Sequence, residues 1–160
     1  MDENINSIAE FRLIPGLINN ISEEGREWLA RAILNVLIVD KHLSHEEKSY
    51  LKDAISIVES EVVRGELLES INKRETLEME ELISDRKYAG EFFFFLGMVV
   101  AADGKIKTSE VKMLTTICGK LGFPPETAKA VLRWVADMIK LNNDRNQITE
   151  IMREIKPVFV

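Results

Sequence analysis

The chain has one cysteine, four prolines and two histidines in 160 residues, and its formal charge is −6, with no basic stripe. A lone Cys118 excludes an intramolecular disulfide. It shares a helical stripe with Val111, Leu114, Ile117 and Leu121, the setting of a small core residue rather than a nucleophile. The acidic balance argues against nucleic acid, since phosphate binding needs clustered lysine and arginine. Two histidines leave few acid–base arrangements. The motifs that carry phosphate or acyl chemistry are also missing. "GKLG" at 119–122 lacks the rest of a P-loop, and neither G-x-G-x-x-G, G-x-S-x-G nor H-E-x-x-H occurs. The longest apolar run, Phe92 to Ala102, would make about 16 Å of helix, against about 30 Å of bilayer core. The opening "MDENINSIAEF" is polar and acidic, unlike a secretory signal. A single cytoplasmic domain without a transmembrane segment is expected, with hydrophobic residues at 46% providing a core.

Helical periodicity is the dominant pattern, and strand signals are nearly absent. Leu29, Ile33, Val36 and Leu37 recur at spacings of three and four, as do Leu51, Ala54, Ile55 and Val58. The spacing predicts an all-α bundle with helices near 4–12, 23–40, 45–58, 60–72, 76–83, 86–102, 108–121, 125–141 and 146–154. "SHEE" at 44–47 reads as a capping box. Gly104 suits a left-handed helix end, and the prolines of "GFPPE" a helix start. "NNDRN" at 142–146 reads as a loop. "FFFF" at 92–95 reads as core, Trp134 as core or the rim of an interface, and "KPVFV" as an ending docked on its own domain. Between Glu59 and Asp85 lie nine acids and three bases, so this segment carries the net charge of the whole chain.

"ILNVLIVDKHLSHEEKSYLKDAISIV" also lies over "LGMVVAADGKIKTSEVKMLTTICGKL" without gaps, at an offset of 63 residues. Asp40 falls on Asp103, Leu43 on Ile106, Glu47 on Glu110 and Leu51 on Leu114. The expected organisation is a first repeat at about 26–72, an acidic connector at about 59–85, a second repeat at about 86–141 and a C-terminal helix at about 146–154. Two such hairpins can pack face to face about a pseudo-twofold axis.

The "DGKIKTSE" stretch has the back half of an EF-hand loop, but Val99 and Ala101 occupy its leading ligand positions. Calcium needs six to eight oxygens, so that site is rejected. Ile106 and Leu43 can plug each loop into the core, and Glu47 and Glu110 suit the first turn of a helix. If the loops lie side by side, Asp40, Glu47, Asp103 and Glu110 can offer carboxylates to one divalent cation (calcium, magnesium or manganese), unless Lys41, Lys105 or Lys107 neutralises them. His42 and His45 would need further ligands for zinc and read as surface residues.

The stretch "AADGKIKTSEVKMLTTICGKLG" resembles the signature loop of the TerB-like family, associated with tellurite resistance. The duplicated hairpin is similar to that family over about residues 26–141. The first copy departs from the pattern at Lys41 and His42. The resemblance implies a bacterial stress-response module, all-helical and cytoplasmic, that binds metal through acidic residues matching Asp103 and Glu110, with Asp40 and Glu47 as their repeat equivalents. The expected function is a non-enzymatic module of this kind with an unidentified protein partner and a homodimer as an option. The alternatives are a structural adaptor whose 59–85 segment docks a basic partner, and a metal-dependent hydrolase built on the same carboxylates.

Overall fold

A computed structural model describes residues 15–40, 43–101 and 104–159. Among these the chain is all-helical, with seven α-helices, one 3₁₀ turn and no strand. The helices are α1 (Pro15–Asn20), α2 (Glu23–Ile38), α3 (His45–Ser56), α4 (Glu61–Lys73), α5 (Ala89–Val100), α6 (Thr108–Lys120) and α7 (Pro125–Glu154), with the 3₁₀ turn at Arg86–Tyr88.

The helix starts follow from local chemistry. Ser22, Ser44 and Ser60 each accept a hydrogen bond from the amide three residues on, which satisfies a donor that has no partner within the helix. At α3 the capping box is complete: the Glu47 amide donates to Ser44 Oγ (3.2 Å) and the Ser44 amide to Glu47 Oε1 (3.0 Å). Helix α6 starts on Lys107, whose side chain makes no cap. Pro125 opens α7, where its missing N–H is no loss. Gly104 has φ of +78°, the left-handed conformation expected of it before α6.

The middle of the bundle is α2 against α5. Helix α2 also packs on α3, α4 and α6, and α5 on α6 and α7. Both central helices are apolar on several sides, as such a position requires. Leu29, Ile33, Leu34 and Leu37 of α2 and Phe92, Phe93, Phe95 and Leu96 of α5 are all buried. Three of the four consecutive phenylalanines therefore join the core. Phe94 stays half exposed, edge-on to Trp134 of α7 with ring centroids 5.3 Å apart.

Four expectations need correction or qualification. Residues 76–83 are not a helix but irregular chain. The predicted loop at 142–146 and separate helix at 146–154 are instead parts of one 30-residue helix. Asn and Asp weaken a helix by at most about 0.7 kcal/mol each, and no Gly or Pro interrupts this one. Of the terminal apolar residues, Val158 and Phe159 do not dock, being 85% and 93% exposed. The helix expected at 4–12 lies outside the described residues, and α1 at Pro15–Asn20 was not anticipated.

Candidate functional site

Two places gather charged side chains. The first is the junction of the repeat-related loops. Asp40 lies two residues past the end of α2, and its Oδ2 accepts a hydrogen bond from Lys107 Nζ at 2.7 Å, an ion pair reaching from the first loop to the second. The loops do meet, and a lysine links them. Glu47 and Glu110 stand at the third position of α3 and α6, and each is only 1% exposed. Glu47 is committed to its capping box. Leu43 and Ile106 are partly buried against the core, as plugs should be. Asp103, with Lys41 and His42, lies outside the described residues. No cluster of three or more His, Cys, Asp or Glu suited to a metal occurs among the described residues. A cation bound here would have to take Asp40 from the Lys107 ammonium. His45 is exposed, and Cys118 is a buried core residue whose thiol pKa is pushed up by burial.

The second place was only half legible in the sequence. Residues 77–85 of the acidic connector lie along α2, largely at the surface, and close a groove of about 330 Å³ with it. Three contacts hold them there. Asn35, 1% exposed, donates from Nδ2 to the Leu77 carbonyl and accepts from the Leu77 amide, both at 2.7 Å. Trp28 Nε1 donates to the Glu80 carbonyl at 2.8 Å. Asp85 accepts from the Ser22 amide at 3.0 Å and the Ser22 hydroxyl at 2.6 Å.

The anchors run in opposite order along the two segments, so the connector is antiparallel to α2. The spacing also fits. Seven helical residues from Trp28 to Asn35 rise about 10.5 Å, and three extended residues from Leu77 to Glu80 span about 10 Å. This matching explains why 77–80 is not helical. A helical connector would cover less than half that distance, and Asn35 already engages both backbone polar groups of Leu77.

Gly25 serves the last anchor. A Cβ there would stand 2.2 Å from Asp85 Oδ2, so only glycine admits the carboxylate against the first turn of α2. Burial pushes the Asp85 carboxyl up, but the Ser22 hydroxyl and amide, the Ser84 hydroxyl and the charge of Arg26 outweigh it. Its pKa is therefore lowered.

Glu24 and Glu27 of α2 line the groove with Glu78, Glu80 and Glu81 of the connector, and Arg31 is the basic residue among them. Arg31 NH2 also pairs with Glu66 Oε2 at 3.4 Å. The Glu27 pKa is raised, chiefly by burial; the charge of Arg31 opposes this, while Glu23 and Glu66 add to it. With five glutamates against Arg31, the lining of the groove is net negative. The sequence showed the acids of 78–81 but not their union with Glu24 and Glu27. A detectable hint was Asn35 itself, a polar residue inside the apolar stretch "ILNVLI".

No protein-family model, curated protein or solved structure matches this chain.

Proposed function

We propose that the chain is a non-enzymatic interaction module whose groove between α2 and the connector receives a basic segment of a protein partner. The observation that carries this reading is a groove lined by five glutamates, Glu24, Glu27, Glu78, Glu80 and Glu81, with Arg31 as the basic residue among them. Crowded carboxylates in a partly desolvated cleft repel one another, and a lysine or arginine side chain placed among them relieves that repulsion. Such attraction speeds encounter and selects against acidic partners more than it adds affinity, and salt weakens it.

The TerB-like resemblance supplies the setting, a bacterial stress-response module of duplicated hairpins. Two features support the duplication. Helices α3 and α6 start 63 residues apart, each with a buried glutamate in its first turn. Ser22 and Asp85, also 63 apart, bond to each other, as equivalent positions near a pseudo-twofold axis would. Within that setting a second reading is a divalent cation held by Asp40, Glu47, Asp103 and Glu110. The Asp40–Lys107 pair joins the two loops that this reading needs close, but it occupies Asp40, so ion uptake would be coupled to release of Lys107.

One set of titrations tests both readings. A labelled Lys/Arg-rich peptide should bind the chain in fluorescence anisotropy, and the triple change Glu78→Gln, Glu80→Gln and Glu81→Gln should weaken it at least about tenfold. Changing exposed Glu126, Glu150 and Glu154 to Gln alters net charge equally and should have little effect, as should Asp103→Ala. Equal losses from both triple variants would reduce the groove to non-specific charge. Calorimetry with Mn²⁺ and Mg²⁺ should show uptake that tightens in Lys107→Gln; no heat in either protein would end the cation reading.

A further inference from the structure

Residues 76–84 of the connector hang between two fixed posts. At one end the Glu75 amide donates to the Ser70 carbonyl at 3.1 Å, and the Ser70 hydroxyl donates to the Glu75 carbonyl. At the other end Asp85 accepts from the Ser22 amide and hydroxyl. Arg74 and Asp85 are the two non-glycine residues with positive φ among the described residues, 55° and 53°, so the backbone changes direction as it enters and leaves this segment.

Between the posts the chain is lightly held. Of its nine residues Met79 and Leu82 are buried, Leu77 and Ser84 are partly buried, and the other five are exposed. Ordering irregular backbone costs entropy at every position, and two buried side chains with a few hydrogen bonds offset only part of it. Lifting the segment orphans nothing. The Asn35 amide, the Trp28 indole N–H and the Lys120 carbonyl, which accepts from the Leu82 amide at 2.9 Å, all face it, so water replaces each bond as it rises. With both posts pinned the loop stays closed, and docking again requires no long search.

The groove exists only while this segment is down. One wall is Glu24, Glu27, Trp28 and Arg31 of α2, and the other is residues 78–82, all of them between the posts. A ligand that touches both walls therefore binds the docked segment and not the raised one, and such a difference in affinity is what shifts a population.

We infer that residues 76–84 are a strap that lifts from α2 in the free chain and is closed by the basic segment the groove receives, an inference that rests on the reading of the groove given above. Amide exchange of the full chain, with and without the labelled Lys/Arg-rich peptide, tests it. The Leu77 and Leu82 amides are both bonded in the closed strap, to Asn35 and Lys120, so their exchange reports its opening. In the free chain their protection should be at least about 100-fold lower than that of the α5 core amides. Saturating peptide should slow them at least about tenfold and leave the α5 amides unchanged. Asn35 does not line the groove, so weaker peptide binding in Asn35→Ala, with faster exchange at Leu82 as well as Leu77, would show that the strap carries the effect. In Trp134→Phe, which leaves Trp28 as the one tryptophan, acrylamide quenching should fall when peptide is added. Protection at Leu77 and Leu82 equal to that of the α5 core would overturn the inference, because the strap would then open only when the whole chain unfolds. Peptide binding by anisotropy without slower exchange would overturn it too, while leaving the groove reading intact. No binding at all would end both.

Discussion

Replacing Asn35 with alanine tests how the groove is built. The amide makes two hydrogen bonds of 2.7 Å to one residue, Leu77, from a position 1% exposed. Each such bond contributes about 1 kcal/mol net, and an orphaned buried donor or acceptor costs about 1–3 kcal/mol. Leu77 is only half-buried, so water can reach part of its backbone, and the lower part of that range applies. The expected loss is about 3 kcal/mol, a large fraction of the 5–15 kcal/mol typical of a domain. For a chain of this size that lowers Tm by roughly 6–12 °C. The connector can also detach while the bundle stays folded, which caps the global loss at the free energy of docking the connector. Urea unfolding should therefore be paired with amide exchange. In Asn35→Ala, the amides of Leu77 and its neighbours should exchange much faster, the core amides of α5 should change less, and peptide binding in the groove should fall. A stability change under about 1 kcal/mol with unchanged exchange at Leu77 would refute this account of the connector.

Two carboxylates with opposite shifts give opposite pH signatures. Asp85 has a lowered pKa, so its stabilising contribution is present above the unfolded value of about 3.9 and is lost as pH falls through the folded value. Thermal melts of Asp85→Asn should lie below wild type at neutral pH and converge with it near about pH 2; parallel curves would show that Asp85 is not held by Ser22 as described. Glu27 has a raised pKa, so its ionised form is a liability that grows as pH rises from the unfolded value of about 4.3 through the folded one. Glu27→Gln should stabilise the chain at neutral pH, with the gain disappearing in acid; a loss of stability at neutral pH would contradict the account of a carboxylate held at a cost by burial beside Glu23 and Glu66.

Helix type and core membership were legible because they depend on near neighbours in sequence. The Ser44–Glu47 capping box, the left-handed Gly104, the plugs Leu43 and Ile106 and the burial of Cys118 all follow from spacing and residue chemistry within a few positions. The connector was misread for the same reason. Residues 76–83 have enough helix formers to predict a helix, but Asn35, 42 residues away, engages the backbone of Leu77 and draws it straight. Spacing also brought Asp40 and the second loop to one junction on paper. The overlay offered Lys41, Lys105 and Lys107 as neutralising partners alike; that Lys107 takes Asp40 could not be read from it, because a long side chain chooses its partner in space.

The sequence alone determined an all-helical chain with its acids concentrated in one segment, since local periodicity and composition need no knowledge of what packs where. Tertiary structure alone decided that residues 77–85 of this segment lie antiparallel on α2 and share a groove with Glu24 and Glu27, and that α7 runs unbroken to Glu154. These depend on which surfaces meet after the chain closes, and burial and the gathering of charge exist only once those distances are set.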